Sequence, residues 1–345
     1  MPSRLVRSVF EARGLKEYFD EDPRFEFKGL IYPGVDASTF RVRYKDPQGP
    51  VETDFVVKKA FNTQFSRDAL IRERGHLKSF LGSTHIVKIL DLVDDPLEKN
   101  NYPGEWVMLE YLSNGTIDEF ITFLVRRGIE RLPNRVLWRF FLCLIRACCA
   151  MAWPRNLAPD QPQELEFPIL GRPLSGLAHN DLHGSNVLIG DFLPDPEHNI
   201  TPVLKFIDFG HTGAPRSAEA GITGERQNVW DIGAIMLSLI AVQPLMNPRD
   251  HASVQIYALR NNLESKASWI FRPNDERPEG LDEALGDMVG ACLAVDPSLR
   301  PSLEDLSALA LEAVIRRDAR FYGEYSESDA AIRALCHLIV FERYT

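Results

Sequence analysis

"HNDLHGSN", residues 179–186, and "IDFG", residues 207–210, are the two short stretches on which the reading of this chain turns. The first sets Asp181 and Asn186 five positions apart, with His179 and His183 around the acid. The second ends an apolar run on Asp208, followed by an aromatic and a flexible residue, 22 positions after Asn186. Either string alone suits a polar turn between two elements. What stands upstream of them decides what they are for.

Far upstream, "VVKK" puts Lys58 at the end of a strand-like run, and alternation along "FVVKK" gives Val56 and Lys58 the same face. Glu73 follows in "SRDALIRERGHLKSFLG", where Leu70, Glu73, Leu77 and Phe80 recur at helical spacing. Ser66 is the expected N-cap of that helix and Gly82 its expected stop. Short runs rich in Val, Phe and Tyr, punctuated by Gly, Pro and Asp, predict three strands between residues 25 and 61. "HIVKILDLVDD" and "GEWVMLEYL" return to strand composition. Beyond Asn114 and Gly115 long helical patterns take over, so the chain changes character there. "NVLI" and "VLKFI" predict a hairpin, "VWDIGAIMLSLIAV" a buried helix, and Ser302 before Asp305 a capping box opening another. The Pro-rich stretch 154–176 reads as a surface insertion. Cys148, Cys149, Trp106, Trp138 and Phe209 read as packing groups, and His179 as a structural support.

Composition bounds the function. A chain of 345 residues with 45% hydrophobic and 26% charged residues has the mass for two lobes and a sizeable core. A net charge of -10 works against general affinity for nucleic acid or anionic membrane. No run of about 20 apolar residues predicts a membrane span. Cys143, Cys148, Cys149, Cys292 and Cys336 form neither an even disulfide ladder nor paired metal knuckles, which fits a reducing, cytoplasmic setting. The N-terminal segment lacks the apolar core of a secretion signal and reads as an amphipathic helix.

Strand-lysine, helix-glutamate, D-x-x-x-x-N and D-F-G, in that order, resemble the eukaryotic protein kinase family. "WVMLEYLSNGTI" resembles its hinge, "NVWDIGAIML" its central helix and "DPSLRP" its arginine-bearing loop, so the likeness covers roughly residues 29–315. It implies an α+β bilobal fold: an N-terminal extension (1–28), a small antiparallel sheet lobe with one main helix (29–112), a larger helical lobe (113–320) and a C-terminal extension (321–345). It also implies ATP and Mg²⁺. Lys58 would grip the α- and β-phosphates with Glu73 fixing its place, Asp208 and Asn186 would hold Mg²⁺, and Asp181 would take the proton of an acceptor hydroxyl. Adenine would lie between Val42, Val56 and Leu188, with Leu109 behind and main-chain hydrogen bonds from Glu110 and Leu112. Gly34 is the one glycine clearly in place in the phosphate loop "GVDASTFRV".

The chain departs from that family at several points. Asn180 stands where many members carry the arginine that reads activation-segment phosphate, and His183 where Ser/Thr protein kinases carry a lysine. Only 17 residues separate Gly210 from Asn228, and Arg216 occupies the place of the glutamate that pairs with Arg300, unless Glu219 or Glu225 substitutes. Asn228 replaces the aspartate that opens the central helix. Three functions therefore stand side by side: a Ser/Thr protein kinase, a pseudokinase that binds or scaffolds, and a small-molecule phosphotransferase related to aminoglycoside and choline kinases, whose loops carry a similar histidine.

Overall fold

Alternation in the first third of the chain becomes sheet register. The computed structural model describes residues 4–341 except 48, 93–94, 100, 159–160, 217–220, 245–246, 249–252, 257–262 and 272–276. Helix α1 (Arg4–Asp20) leads into strands β1 (Phe25–Pro33), β2 (Ala37–Lys45) and β3 (Glu52–Ala60). Helix α2 (Gln64–Ser79) follows, then β4 (Ile89–Leu90), the one-turn α3 (Pro96–Lys99) and β5 (Trp106–Glu110). The five strands form one antiparallel sheet in the order β1-β2-β3-β5-β4. The cap of α2 is Thr63, whose hydroxyl accepts the amide of Ser66 at 3.1 Å, and not Ser66 itself. The helix ends at Phe80, two residues before Gly82.

The sheet has two buried faces of different use. Phe40, Val42, Phe55, Val57 and Met108 pack with Leu15 and Phe19 of α1, which closes that face with a small aromatic core. Val56, Val107 and Leu109 belong instead to the core shared with α2 and the helical region. The amphipathic N-terminal helix is thus the lid of the outer sheet face.

The rest of the chain is mostly helical. It comprises α4 (Ile117–Arg126), α5 (Asn134–Ala152), the hairpin β6 (Val187–Ile189) and β7 (Leu204–Phe206), α6 (Gly224–Ala241), the strand pair β8 (Val254–Ile256) and β9 (Leu263–Ser265), and α7 (Glu283–Cys292), α8 (Leu303–Arg316), α9 (Ala319–Tyr322) and α10 (Asp329–Phe341). Helix α5 is buried along its whole length, which requires every polar group on it to be answered. Its N-terminus has no side-chain cap of its own; Glu327 accepts the amides of Asn134 at 2.6 Å and Arg135 at 3.0 Å. Arg146, fully buried, donates to Glu197 and to the carbonyl of Glu166. Ser302 caps α8 by accepting the amide of Asp305, but the reciprocal half of the expected capping box is replaced by a bond from the Ser302 hydroxyl to the Asp305 carboxylate.

The stretch 154–176 is more than a surface insertion. Leu170 is exposed, but Glu166 is buried and accepts both the backbone amide and ring Nδ1 of His85. A carboxylate placed there anchors the segment between α5 and the turn after α2. Cys148, Cys149, Trp138 and Phe209 are buried in the main core, whereas Trp106 is half-buried and donates its indole N–H to Asp95. All five cysteines are free thiols. Among the described residues no helix is long and apolar enough to cross a membrane.

Candidate active site

Three charged side chains converge where the sheet meets the helical region. Lys58, on β3, donates to Glu73 of α2 at 2.7 Å and to Asp208 at 2.9 Å, joining positions 150 residues apart. Glu73 is buried and Lys58 half-buried, while the Asp208 side chain keeps 40% of its surface in solvent, so the triad opens on the acid. Burial pulls the Lys58 ammonium down, but Glu73 and then Asp208 outweigh it and hold its pKa above the ordinary lysine value. Burial pushes Asp208 up, and Lys58 reverses this, so the carboxyl titrates below its usual range. Glu73 is shifted upward by its own burial, because it shares one ammonium with a second carboxylate.

Asp208 itself has φ 65° and ψ 66°, a left-handed conformation uncommon for a residue with a Cβ. The packing after it explains how this is held. Phe209 is fully buried, its ring 5.2 Å from Phe80 and 5.0 Å from the His179 imidazole. Gly210 offers its carbonyl to Arg72 of α2. His179 supports rather than reacts: burial lowers its pKa to about 4, and its Nε2–H donates to the carbonyl of Ile207 at 3.0 Å.

Asp181 lies on the same loop, half-exposed. Asn186 spends its amide nitrogen on the Asp181 carbonyl at 2.7 Å, leaving its amide oxygen as the group available to a cation. His183 Nε2 is 3.8 Å from Asp181. Gly184 is required by close approach, since a Cβ there would meet Asp118 Oδ1 at 2.1 Å, and Asp118 in turn accepts the hydroxyl of Ser185 at 2.5 Å. Asp118 is a loop-positioning residue that the sequence reading missed; it stands 63 positions before Asp181 in an ordinary helix pattern.

The loop is fixed to the central helix and to the segment after Gly210. Asn228 accepts the amide of His179 and donates to the carbonyl of Leu177, both at 2.9 Å. Asn180, at φ 66°, donates to the carbonyls of His211 and Ala214 and accepts from Arg216 N and Gln227 Nε2, all at 3.0 Å. Arg300 donates to the carbonyls of Ala294 and Arg226 and stacks on Trp230, and Glu225 accepts the amide of Leu303 at 3.0 Å. Glu219 and Ser217 lie outside the described residues.

At the nucleotide side the residues divide. Val56 pairs with Leu109 across β3 and β5, so both line one face with Lys58. Leu188, half-buried on β6, lies opposite the sheet and bridges Thr116. Glu110 donates its backbone N–H to the Lys88 carbonyl, and its carboxylate accepts from Lys205 at 2.7 Å. Leu112 follows it, half-buried, with Cδ2 3.8 Å from where a Cβ on Gly190 would stand. Gly34 sits in the β1–β2 turn, where a Cβ would strike the Ala37 carbonyl oxygen at 2.5 Å.

Val42 does not belong with them. It pairs with Phe55 and is buried beneath α1, on the opposite face of the sheet. The β2 residue that shares the face of Val56 is Arg41, whose guanidinium lies 4.5 Å from the Tyr111 ring and pairs with Asp54. The period of two makes the one-residue difference a change of face.

With this geometry in place, comparison with known proteins gives a distant relative, the G2-specific protein kinase nim-1 of Neurospora crassa. It is 23% identical over 230 residues. The chain resembles the protein kinases. The match covers 61% of this chain and 25% of the relative, so the chain spans about a quarter of the length of the curated protein it matches. No protein-family model matches the sequence. The kinase-like fold is seen in the five-stranded antiparallel sheet with helix α2 inserted after its third strand, followed by a mostly helical region.

Proposed function

We propose that the chain is an ATP-dependent phosphotransferase of the protein kinase type, acting with Mg²⁺ on Ser/Thr hydroxyls of a protein. The observation that carries this reading is the double contact of Lys58 with Glu73 and Asp208. An ammonium held between two carboxylates, one buried and one open to the cleft, is a mount for a polyphosphate and its counter-ion.

The donor set fits magnesium. Asp208 offers carboxylate oxygens and Asn186 an amide oxygen, the hard ligands that this ion takes. Bound there, Mg²⁺ would neutralise charge on the transferring phosphoryl group. Lys58 stabilises negative charge on the donor phosphates, and Glu73 keeps it from swinging away. Asp181 orients the acceptor hydroxyl and accepts its proton as the new O–P bond forms and the bond from γ-phosphorus to the bridging oxygen breaks. His183 stands 3.8 Å from Asp181, where it would be a polar neighbour of an incoming hydroxyl.

Arg41 supports a second reading, a pseudokinase that binds or scaffolds without turnover. It places a guanidinium, already paired with Asp54, on the sheet face where the family likeness implies an apolar adenine contact. One experiment separates these readings and the small-molecule alternative. Purified protein is incubated with Mg·ATP labelled on the γ-phosphate and with itself, mixed peptides, or small alcohols and aminoglycosides. Transfer to protein or peptide supports the kinase, transfer to small alcohols the small-molecule enzyme, and none to any acceptor the pseudokinase.

A further inference from the structure

Away from the cleft residues, three side chains meet in the interior. His85 comes from the turn after α2, Cys143 from α5 and His198 from the connection between β6 and β7. All are buried, and their ligand-capable atoms lie within 4.8 Å of one another. His85 Nε2 is 3.1 Å from His198 Nε2, which is 3.4 Å from Cys143 Sγ.

The outer ring nitrogens settle what the inner ones carry. His85 Nδ1 lies 2.6 Å from Glu166 Oε2, and His198 Nδ1 lies 2.9 Å from both carboxylate oxygens of Asp195. A carboxylate facing an imidazole nitrogen keeps the proton on that nitrogen, so both Nδ1 atoms are donors. In two neutral rings both Nε2 atoms then point lone pairs at each other across 3.1 Å, which is repulsive unless a cation joins them. Only a proton or a metal ion is small enough. The sulfur converging on the same spot favours a metal, since a bridging proton satisfies two donors and this cluster presents three.

We propose that His85 Nε2, His198 Nε2 and Cys143 Sγ bind a zinc ion, whose fourth tetrahedral position a water would take. With zinc–nitrogen bonds of about 2.0–2.1 Å and zinc–sulfur of about 2.3 Å, neighbouring tetrahedral ligands lie about 3.3–3.6 Å apart. The two short spacings need to open by only tenths of an ångström, and the third pair, His85 and Cys143, lies within 4.8 Å. Two carboxylate–histidine pairs form the outer support that metal-binding imidazoles ordinarily have.

The ion would tie three parts of the fold. The His85 carbonyl accepts the amide of Phe206 and the amide of Val87 donates to the Phe206 carbonyl, so the turn after α2 is laced to the strand that runs into Asp208. Glu166 brings the 154–176 stretch to the same point.

The test uses the full chain. Protein expressed with zinc supplementation and dialysed is analysed by inductively coupled plasma mass spectrometry. About one zinc per chain is expected, and its removal with dipicolinate should lower Tm by several degrees. Metal-stripped protein titrated with Co²⁺ should show a near-ultraviolet thiolate charge-transfer band and visible bands of four-coordinate cobalt, both abolished by Zn²⁺. Cys143→Ser should lose the charge-transfer band and cut zinc content about tenfold or more, whereas Cys148→Ser keeps both. If Cys143→Ser does not fold, the cobalt spectrum of the wild type and its displacement by zinc decide. Zinc far below one per chain together with no cobalt bands from stripped wild type overturns the site and leaves a proton between the imidazoles. Undiminished zinc in folded Cys143→Ser overturns the ligand set.

Discussion

Asn228 holds the start of the catalytic-type loop from both ends of its amide: its oxygen accepts the amide of His179, and its nitrogen donates to the carbonyl of Leu177. The side chain is 1% exposed, and the family likeness implies an aspartate there. An aspartate could accept but not donate, and it would bring a charge into a buried place. Asn228→Asp should therefore destabilise the fold by about 1–3 kcal/mol, although it restores the family's residue. Urea unfolding of the two proteins checks this; an unchanged midpoint would show that Leu177 finds another donor.

Under the proposed function, Lys58 is the residue on which nucleotide binding should depend most directly. If the cleft takes Mg·ATP, a saturating ligand at about 100 times its Kd adds about 2.7 kcal/mol to stability, a thermal shift of a few degrees. Lys58→Met should remove the shift, because it deletes the one cation between Glu73 and Asp208. Differential scanning fluorimetry with and without Mg·ATP is the measurement. An equal shift in both proteins would place the nucleotide elsewhere.

Asp181 can be separated from binding. It makes no contact with Lys58 and stands outside the oxygen set of Asp208 and Asn186 assigned to the ion. Asp181→Asn should cut phosphate transfer by about 10²–10⁴-fold while leaving the Mg·ATP thermal shift intact. A variant that transfers at the wild-type rate would remove Asp181 from the mechanism.

The parts of the site that sequence displayed are those whose chemistry is written in order along the chain. Lys58, Glu73, Asp181, Asn186 and Asp208 were legible through the order in which they stand, which resembles that of the protein kinases; the strand and helix periods place Lys58 and Glu73 on their elements, and packing brings Lys58 to Asp208 across 150 positions. The face of β2 was not displayed. "ASTFRVRYK" alternates cleanly, so Phe40, Val42 and Tyr44 share one side and Thr39, Arg41 and Arg43 the other. Alternation cannot say which side meets the cleft, because that depends on α1 covering the outer face with Leu15 and Phe19. Val42 went to the apolar lid, and Arg41 to the cleft. The burial of Glu166 was hidden for a related reason: its partner His85 lies 81 positions away, and a single glutamate in a Pro-rich stretch carries no periodic mark. The cap of α2 fell three residues early because Thr63 and Ser66 are equally good cap residues, and their hydroxyls bond to each other at 2.8 Å.

Acid should weaken the helical region at a definable residue. Asp282 caps α7 and accepts from Arg317 at 2.5 Å and the Tyr322 hydroxyl at 2.6 Å. Burial raises its carboxyl, but the Tyr322 and Arg317 hydrogen bonds prevail, so its pKa is below the ordinary 3.8. A depressed folded-state pKa means stability fully present above 3.8 and lost as pH falls through the folded value. Asp282→Asn should cost about 1–3 kcal/mol at pH 7, with the gap to wild type narrowing only below the ordinary carboxylate value. Urea unfolding at a series of pH values reads this, and a gap that closes already near neutrality would assign the effect to another group.

The segment after Gly210 is held by an amide whose capacity is filled. Asn180 makes four hydrogen bonds, two given to the carbonyls of His211 and Ala214 and two received from Arg216 N and Gln227 Nε2, and an asparagine side chain offers two donors and an acceptor with two lone pairs. Of the three hydroxyls that could carry a phosphate, Thr212 is buried and Thr223 caps α6 by accepting the Arg226 amide, while Ser217 lies outside the described residues. An arrangement fixed this way needs no phosphate to order it. Phosphatase-treated wild type should keep most of its transfer rate. Asn180→Gly, which tolerates the φ of 66° and deletes all four bonds, should lower that rate about tenfold or more and speed limited proteolysis within residues 211–223, with the Mg·ATP thermal shift retained. Loss of the rate on phosphatase treatment, with Asn180→Gly unaffected in proteolysis, would show that a phosphate and not Asn180 holds the segment.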